Sequence, residues 1–345
     1  MQLGIRFDLR SAPFGASLPD LYAAAADMAQ WADELGFDIV YFAEHHGADD
    51  GFCPTPMLPA AMAAARTARA QIRISALLAP LHHPLQTAEE LAVLDVISRG
   101  RAAATLGLGY RPVEFGMRGV EMSARARLLE RAVHVYRQAW TGEPFEFEGK
   151  AALVRPRPVR GGGPRLYLAG TKPASARRAA ALGLDYEPGP SYFADSPLYE
   201  LYEAECARLG RPAPAPYAKP GPRFLFVTHD PERDWERLFP FLAHQTNSYA
   251  QWRVEANCDT GTMQWTPVET SAQLRADRAF AIVTPEECLA MCRSLGARSA
   301  LDFYPLTGGI APELAWHGLR CFADEVLPEL RRLGLVDRAP LTKSG

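Results

Sequence analysis

The chain lacks most of the marks by which a sequence declares a specialised setting. No uninterrupted apolar run reaches the length of a membrane-spanning helix. The first residues, Met1-Gln2-Leu3-Gly4-Ile5-Arg6-Phe7-Asp8, carry charges where a secretory signal has its apolar centre. A formal net charge of −3 gives no basic footprint for nucleic acid and no electrostatic pull towards a membrane surface. Cysteine is sparse and scattered, at positions 53, 206, 258, 288, 292 and 321, which suits a reducing compartment better than a disulfide scaffold. There is no Walker motif, and Gly107-Leu108-Gly109 is not followed by the third glycine of a dinucleotide fingerprint. Cys288 and Cys292 stand four apart on one predicted helix, but no nearby Cys/His pair completes a zinc set. The adjacent histidines 45–46 and 82–83 lack the two-apart or helical spacing that aims two rings at one ion, so no metal is expected. A cytoplasmic globular protein remains, with partners among small molecules rather than nucleic acid or membrane.

What is present is the rhythm of an α/β protein. With 345 residues, 48% of them hydrophobic, the chain is long for one ordinary domain and comfortable for a barrel with an insertion. The stretch 36–51 carries the most information. Gly36 stops a helix, Phe37-Asp38-Ile39-Val40-Tyr41-Phe42 reads as a buried strand, and Glu44-His45-His46 arrive where Gly47 and Asp49-Asp50-Gly51 must end it. Before it, strand one covers 3–9, and Ser17 with Asp20 resembles the cap of a helix reaching Leu35. After it, helices are expected at 56–69, 87–97, 128–140, 173–182, from Ser196 and Thr284, and at 312–333; strands are expected at 71–79, 102–108, 165–169, 184–186, 223–228 and 300–304. Residues 143–158 read as a small hairpin, and 230–281 as an insertion after strand seven with a helix near 231–244. Leu-Gly recurs at 35–36, 182–183, 209–210, 295–296 and 333–334, each time closing a predicted helix with a residue free to turn left-handed. Eight strand–helix alternations favour a (β/α)8 TIM barrel over residues 1–335, followed by a tail at 336–345; a doubly wound open sheet is the structural alternative.

Several motifs come in a particular order: Glu44-His45-His46, Ala79-Pro80-Leu81-His82-His83-Pro84, Ser98-Arg99-Gly100-Arg101, Gly107-Leu108-Gly109-Tyr110 with Glu114-Phe115, and Leu168-Ala169-Gly170-Thr171 with Ser175-Ala176. Pro305-Leu306, Gly308-Gly309 and Glu325-Val326-Leu327-Pro328 close the set. In this the sequence resembles the bacterial luciferase-like flavin monooxygenase family over nearly its whole length. The resemblance implies a (β/α)8 barrel, usually dimeric, that binds reduced FMN or the deazaflavin F420 at the C-terminal face of its strands. FMN members oxygenate a small organic substrate with O2, taking reduced flavin from a separate reductase, whereas F420 members transfer hydride. A third alternative is a relative that keeps the flavin pocket without turnover.

The resemblance also implies roles. His45 corresponds to a catalytic acid or base beside the flavin, a task imidazole suits because its pKa lies near neutrality. His46 follows it on the opposite side of the strand, and Glu44 would orient a histidine or cap a helix. Ser75-Ala76 falls where the family holds a non-proline cis peptide under the isoalloxazine, and His83 lies in the next loop. Gly107, Tyr110 and Arg111 would border the cofactor. Ala169, Gly170, Thr171 and Ser175, opening the helix at Pro173, would hold its phosphate on free N–H groups. Where luciferase directs an arginine at that phosphate this chain has Leu108, so Arg111 or Lys172 is expected to replace it. The 230–281 insertion corresponds to a mobile loop that would exclude water.

Overall fold

The computed structural model describes residues 1–189, 191–257 and 265–340. Residues 258–264 of the expected insertion, Cys258 among them, and 341–345 of the expected tail lie outside the described residues. The first half contains β1 (Gln2–Phe7), α1 (Leu18–Glu34), β2 (Ile39–Phe42), α2 (Met57–Arg66), β3 (Gln71–Leu77), α3 (Pro84–Ile97), β4 (Ala102–Leu106), α4 (Pro112–Arg118) and α5 (Arg125–Trp140). A hairpin, β5 (Phe145–Phe147) and β6 (Lys150–Ala152), precedes β7 (Arg165–Gly170), α6 (Pro173–Leu182), β8 (Asp185–Pro188), α7 (Pro197–Arg208) and β9 (Lys219–Pro220). Then come β10 (Phe224–Val227), α8 (Pro231–Glu255), α9 (Ser271–Arg275), β11 (Phe280–Val283), α10 (Pro285–Leu295), β12 (Ser299–Phe303), α11 (Pro312–Cys321) and α12 (Leu327–Arg332).

Eight strands form one curled parallel sheet in the order β8-β7-β4-β3-β2-β1-β12-β9. From β1 each unit adds its strand on the same side of the last, and the late strand β12 returns to pair with β1. A doubly wound sheet must reverse direction at a switch point, so this order excludes it. The ladder also departs from the expected ring of eight. Expected strand seven, β10, pairs with β11 in a separate parallel ribbon beside β12, and the sheet's eighth member is the two-residue β9. Pro220 ends β9 because it has no N–H to donate, and β11 occupies the last residues assigned to the insertion.

Alternation sets the two faces. Leu3, Ile5 and Phe7 of β1 enter the apolar core, while Arg6 turns the other way and meets Tyr41, Asp302 and Glu187. The five Leu-Gly glycines all have positive φ, from +61° to +87°, as helix-ending glycines should. Other expectations need correction. The stretch 107–120, where no helix was expected, contains α4, started by Pro112 and stopped by Gly119 at φ 63°; seven residues are too few for a hydrophobic period to reveal. α8 runs to Glu255 rather than stopping near 244, and the last helix breaks at a π turn, Phe322–Val326.

The α2-to-β3 turn depends on one buried acid. Asp33, near the end of α1, accepts from the backbone N–H groups of Ala68, Arg69 and Ala70 at 2.7, 2.9 and 2.5 Å. Removing it strands three donors and frees the turn that sets where β3 begins. Asp33→Ala should therefore cost about 2–3 kcal/mol in urea unfolding; a loss within ±0.5 kcal/mol would show that the turn holds without it.

Candidate active site

Because the strands of the sheet run parallel, their C-terminal ends share one side. There the chain after β2 carries Glu44, His45 and His46, β3 ends around Ser75-Ala76, Gly107 to Arg111 follow β4, and β7 ends at Ala169-Gly170 before Thr171 and Ser175 lead into α6. The Ser75–Ala76 peptide bond is cis. The tips are small: Ala43, Ala76 and Ala169 are partly exposed, and a Cβ on Gly107 would lie 3.0 Å from that of Ala76.

Two buried carboxylates govern the histidines. Glu114, on α4, accepts from His45 Nδ1 at 2.7 Å and from the His46 backbone N–H at 3.0 Å. An ionised carboxylate only accepts, so His45 carries its proton on Nδ1 and leaves Nε2 as the basic nitrogen. Glu44 Oε1 receives His46 Nε2 at 2.7 Å and His82 Nε2 at 2.6 Å, while Oε2 takes the Leu78 N–H at 2.8 Å. Burial alone would raise the Glu44 pKa, but these donors hold it down at about 2. For His82, burial opposes the charge and Glu44 overcomes it, so its pKa is raised. The fold thus joins one histidine from each adjacent pair, where the sequence reading had taken each pair alone. The donor atoms of Glu44, His46 and His82 lie within 4.8 Å of one another, close enough to hold an ion. However, Arg118 Nη2, a pure donor, stands 3.4 Å from His46 Nδ1, which commits Nε2 to carrying the proton that Glu44 accepts. The two histidines meet through hydrogen bonds to the one Glu44 oxygen.

Aromatic rings enclose His45. Phe52, Tyr110, Tyr249 and Trp252 have centroids 4.9, 5.9, 5.9 and 5.0 Å from its ring, and Trp265 stacks on Tyr249 at 4.5 Å. Tyr249 and Trp252 come from α8, which leaves the C-terminal end of β10 and crosses the site. Asp50 anchors this helix by pairing with both Arg10 and His244, the latter at 2.8 Å. Gln245 reaches Asp8 at 3.2 Å, and burial raises the Asp8 pKa to about 6. Beside α8 a cleft of about 690 Å³ opens between Arg10, Asp50, Arg111, His244 and Trp252.

The sheet interior is charged. Ser75 Oγ and Thr105 Oγ1 donate to Glu187 at 3.1 and 2.7 Å, and Arg6 Nη1 donates to the Ser75 carbonyl at 3.2 Å. Burial works against the Glu187 charge, yet Arg73 and Arg6 lower its pKa. On the far side Ser175 packs under Gly170, whose Cβ, if present, would fall 2.2 Å from that of Ser175. Tyr186 donates to the Gly170 carbonyl at 2.7 Å, and Lys172 caps α6.

A family model described as luciferase-like monooxygenase matches residues 1–298. The chain belongs to the luciferase-like monooxygenase family. A flavin-dependent trigonelline monooxygenase, oxygenase component, from Acinetobacter baylyi is 24% identical over 52% of each chain. The chain spans about half the length of the curated relatives it matches. The oxygenating constituent of 3,6-diketocamphane monooxygenase from Pseudomonas putida, solved with FMN, superposes with a TM-score of 0.74 at 19% identity, over 95% of this chain and 98% of its own. An F420-dependent secondary alcohol dehydrogenase does so at 0.63 and 17% identity, over 91% and 97%. These two likenesses establish the fold.

Set against this family, the expected residues are placed unevenly. Glu44, His45, His46, Ser75, Ala76, Gly107, Tyr110 and the Ala169–Ser175 turn share one end of the sheet. Arg111, expected towards the phosphate, turns to the β2 side: its Nη1 donates to the His46 carbonyl at 2.7 Å and its guanidinium lies 4.0 Å over Trp252. His83 is an exposed cap on α3, facing Phe147 of the hairpin. The residues missed were His82, Glu114 and Glu187. An acid two residues after a proline, inside a glycine-rich loop, was the available signal for Glu114.

Two outcomes are expected. The Glu44 carboxyl contributes stability above pH 4.5 and loses it as pH falls towards 2; His82 contributes below pH 6.5 and loses it as pH rises through its raised value. Glu44→Gln should cost about 1–3 kcal/mol, most of it between those pH values. Urea unfolding across pH checks this, and a loss constant with pH would contradict it. Gly170→Ala should lower stability by about 1–3 kcal/mol through overpacking, and adding Ser175→Gly should recover most of the loss. Thermal melts that show no recovery would rule out that clash.

Proposed function

We propose that the chain is the oxygenase of a two-component flavin monooxygenase, using reduced FMN from a separate reductase and O2 to oxygenate a small organic substrate. The observation that carries the reading is the meeting of the His45–Glu114 pair, the Ser75–Ala76 tip and the Gly170–Ser175 turn at one end of the sheet. The group fits the residues present. The small floor at Ala43, Ala76, Gly107 and Ala169 suits a tricyclic ring, and the start of α6 suits a phosphate. When bound, the reduced flavin supplies the electrons that activate oxygen.

The protein's own part is position, proton handling and shelter. Glu114 keeps the His45 Nδ1 proton in place, so Nε2 is free to take a proton and return it. Ser75, Glu187 and Arg6 fix the strand tip beneath the ring. Tyr249, Trp252 and Trp265 exclude water from the histidine, which makes the segment after β10 the cover of the site. The curled parallel sheet, with the β10–β11 ribbon beside β12, supports a (β/α)8 barrel. Exposed Leu58 on α2, with Val93, Val96 and Ile97 on α3, supports a homodimer through that face.

An F420-dependent oxidoreductase is the second reading, favoured by Leu108 in place of the phosphate arginine. Anaerobic titration of the purified protein with reduced FMN and reduced F420 separates the two. Saturable one-to-one binding of reduced FMN is expected; saturation by F420 alone would transfer the assignment, and binding of neither would refute both. His45→Ala should retain reduced-FMN affinity within roughly threefold while losing flavin-supported oxygen turnover tenfold or more. Unchanged turnover would remove His45 from the mechanism.

A further inference from the structure

Far along the chain from the histidines above, three metal-ligating side chains of different type meet at the surface. His229 stands in the turn between β10 and α8, Cys321 ends α11, and Glu325 follows one turn later in the π segment. His229 Nε2 lies 2.7 Å from Glu325 Oε1, Cys321 Sγ lies 3.8 Å from the same oxygen, and all three donor atoms fall within 4.8 Å of one another. Around a tetrahedral zinc, with bonds of about 2.0–2.3 Å, such atoms sit about 3.4–3.6 Å apart. The triangle therefore needs a widening of about 0.7 Å at its short edge of 2.7 Å and a closure at the thiol. We propose that His229, Cys321 and Glu325 form a binding site for a borderline-soft divalent cation of the zinc class, with water in the fourth position.

Three features favour this over an ion pair beside an idle thiol. A thiol, an imidazole and a carboxylate together match the preference of zinc and exceed what an exposed His–Glu pair requires. The π turn, a rare geometry that concentrates at functional sites, places Cys321 and Glu325 together. Charge agrees with that geometry: Glu325 with neighbouring Asp324 makes an acidic setting that attracts a divalent cation, which would displace the thiol proton to solvent. Cys288 and Cys292 stay buried and outside the triangle. A bound ion would tie the base of α8, the helix that covers His45, to the C-terminal helices.

The test uses the full-length, tag-free protein, stripped with chelator and titrated with Co2+ as a spectroscopic stand-in for Zn2+. One equivalent should produce thiolate-to-metal charge transfer and the visible bands of a tetrahedral ion, with release of a proton. Zn2+ should displace it and raise the melting temperature. Cys321→Ser should abolish the charge-transfer band, and His229→Ala should weaken binding by more than the roughly 10–100-fold that a residue merely orienting a ligand is worth. Cys258→Ser should leave the spectrum intact. No band in the wild-type protein, a band that survives Cys321→Ser, or an affinity indifferent to His229→Ala would each overturn the proposal. Circular dichroism of each variant confirms that a lost band is not a lost fold.

Discussion

A buried carboxylate that finds two histidine donors is the constraint on which the site depends. Glu44 is 2% exposed, and an isolated charge at such depth would protonate or unfold its surroundings. It persists because His46, His82 and the Leu78 N–H satisfy it, and those three partners come from the β2 and β3 loops. One ion therefore fastens two strand tips together. Glu114 repeats the device one loop further, joining α4 to His45 and to the backbone of His46. The histidines are held by electrostatics in a dry setting, which fixes ring orientation and proton position together.

The same economy governs the neighbouring parts. Inside the sheet Arg6 and Arg73 face Glu187 and Asp302, so the charges beneath the tips balance while Tyr41 and Tyr167 cover the guanidinium faces. Above the tips α8 is pinned by His244 on Asp50 and by Gln245 on Asp8, and these anchors precede the aromatic residues that meet His45. Position of the histidine, the strand tip and the cover thus rests on polar contacts between segments distant in sequence. For a flavin oxygenase of the kind proposed, that arrangement supplies a fixed base, a flat floor and a water-excluding roof.

Much of this was legible before any coordinates. Strand-to-helix alternation, the Leu-Gly helix endings and the placement of Glu44-His45-His46 at a strand's end follow from local rules: glycine tolerates left-handed backbone, and parallel strands deliver their ends to one side. The hairpin at 145–152 was visible from its alternation, and Glu148-Gly149 indeed turn with positive φ. What stayed hidden depends on distance in the chain. Nothing local pairs His82 with Glu44, 38 residues away, or Glu114 with His45, 69 away. α4 is too short for periodicity, and β9 is two residues in a proline-rich run. The loop that carries Arg111 could be read, but not that its side chain reaches back to the His46 carbonyl and Trp252. The cis bond at Ser75–Ala76 came from family likeness, since nothing in those two residues announces it.

The central claim is that Glu114 fixes the tautomer of His45, with the proton on Nδ1 and Nε2 left as the basic nitrogen. Long-range proton–nitrogen correlation spectra of protein labelled with 15N-histidine read this directly, with His45 assigned by substitution. At neutral pH the account predicts a protonated, hydrogen-bonded Nδ1 and an unprotonated Nε2 for His45. A proton on Nε2 with a bare Nδ1 would contradict it, because Glu114 would then lose its His45 donor and the basic nitrogen of His45 would face a carboxylate.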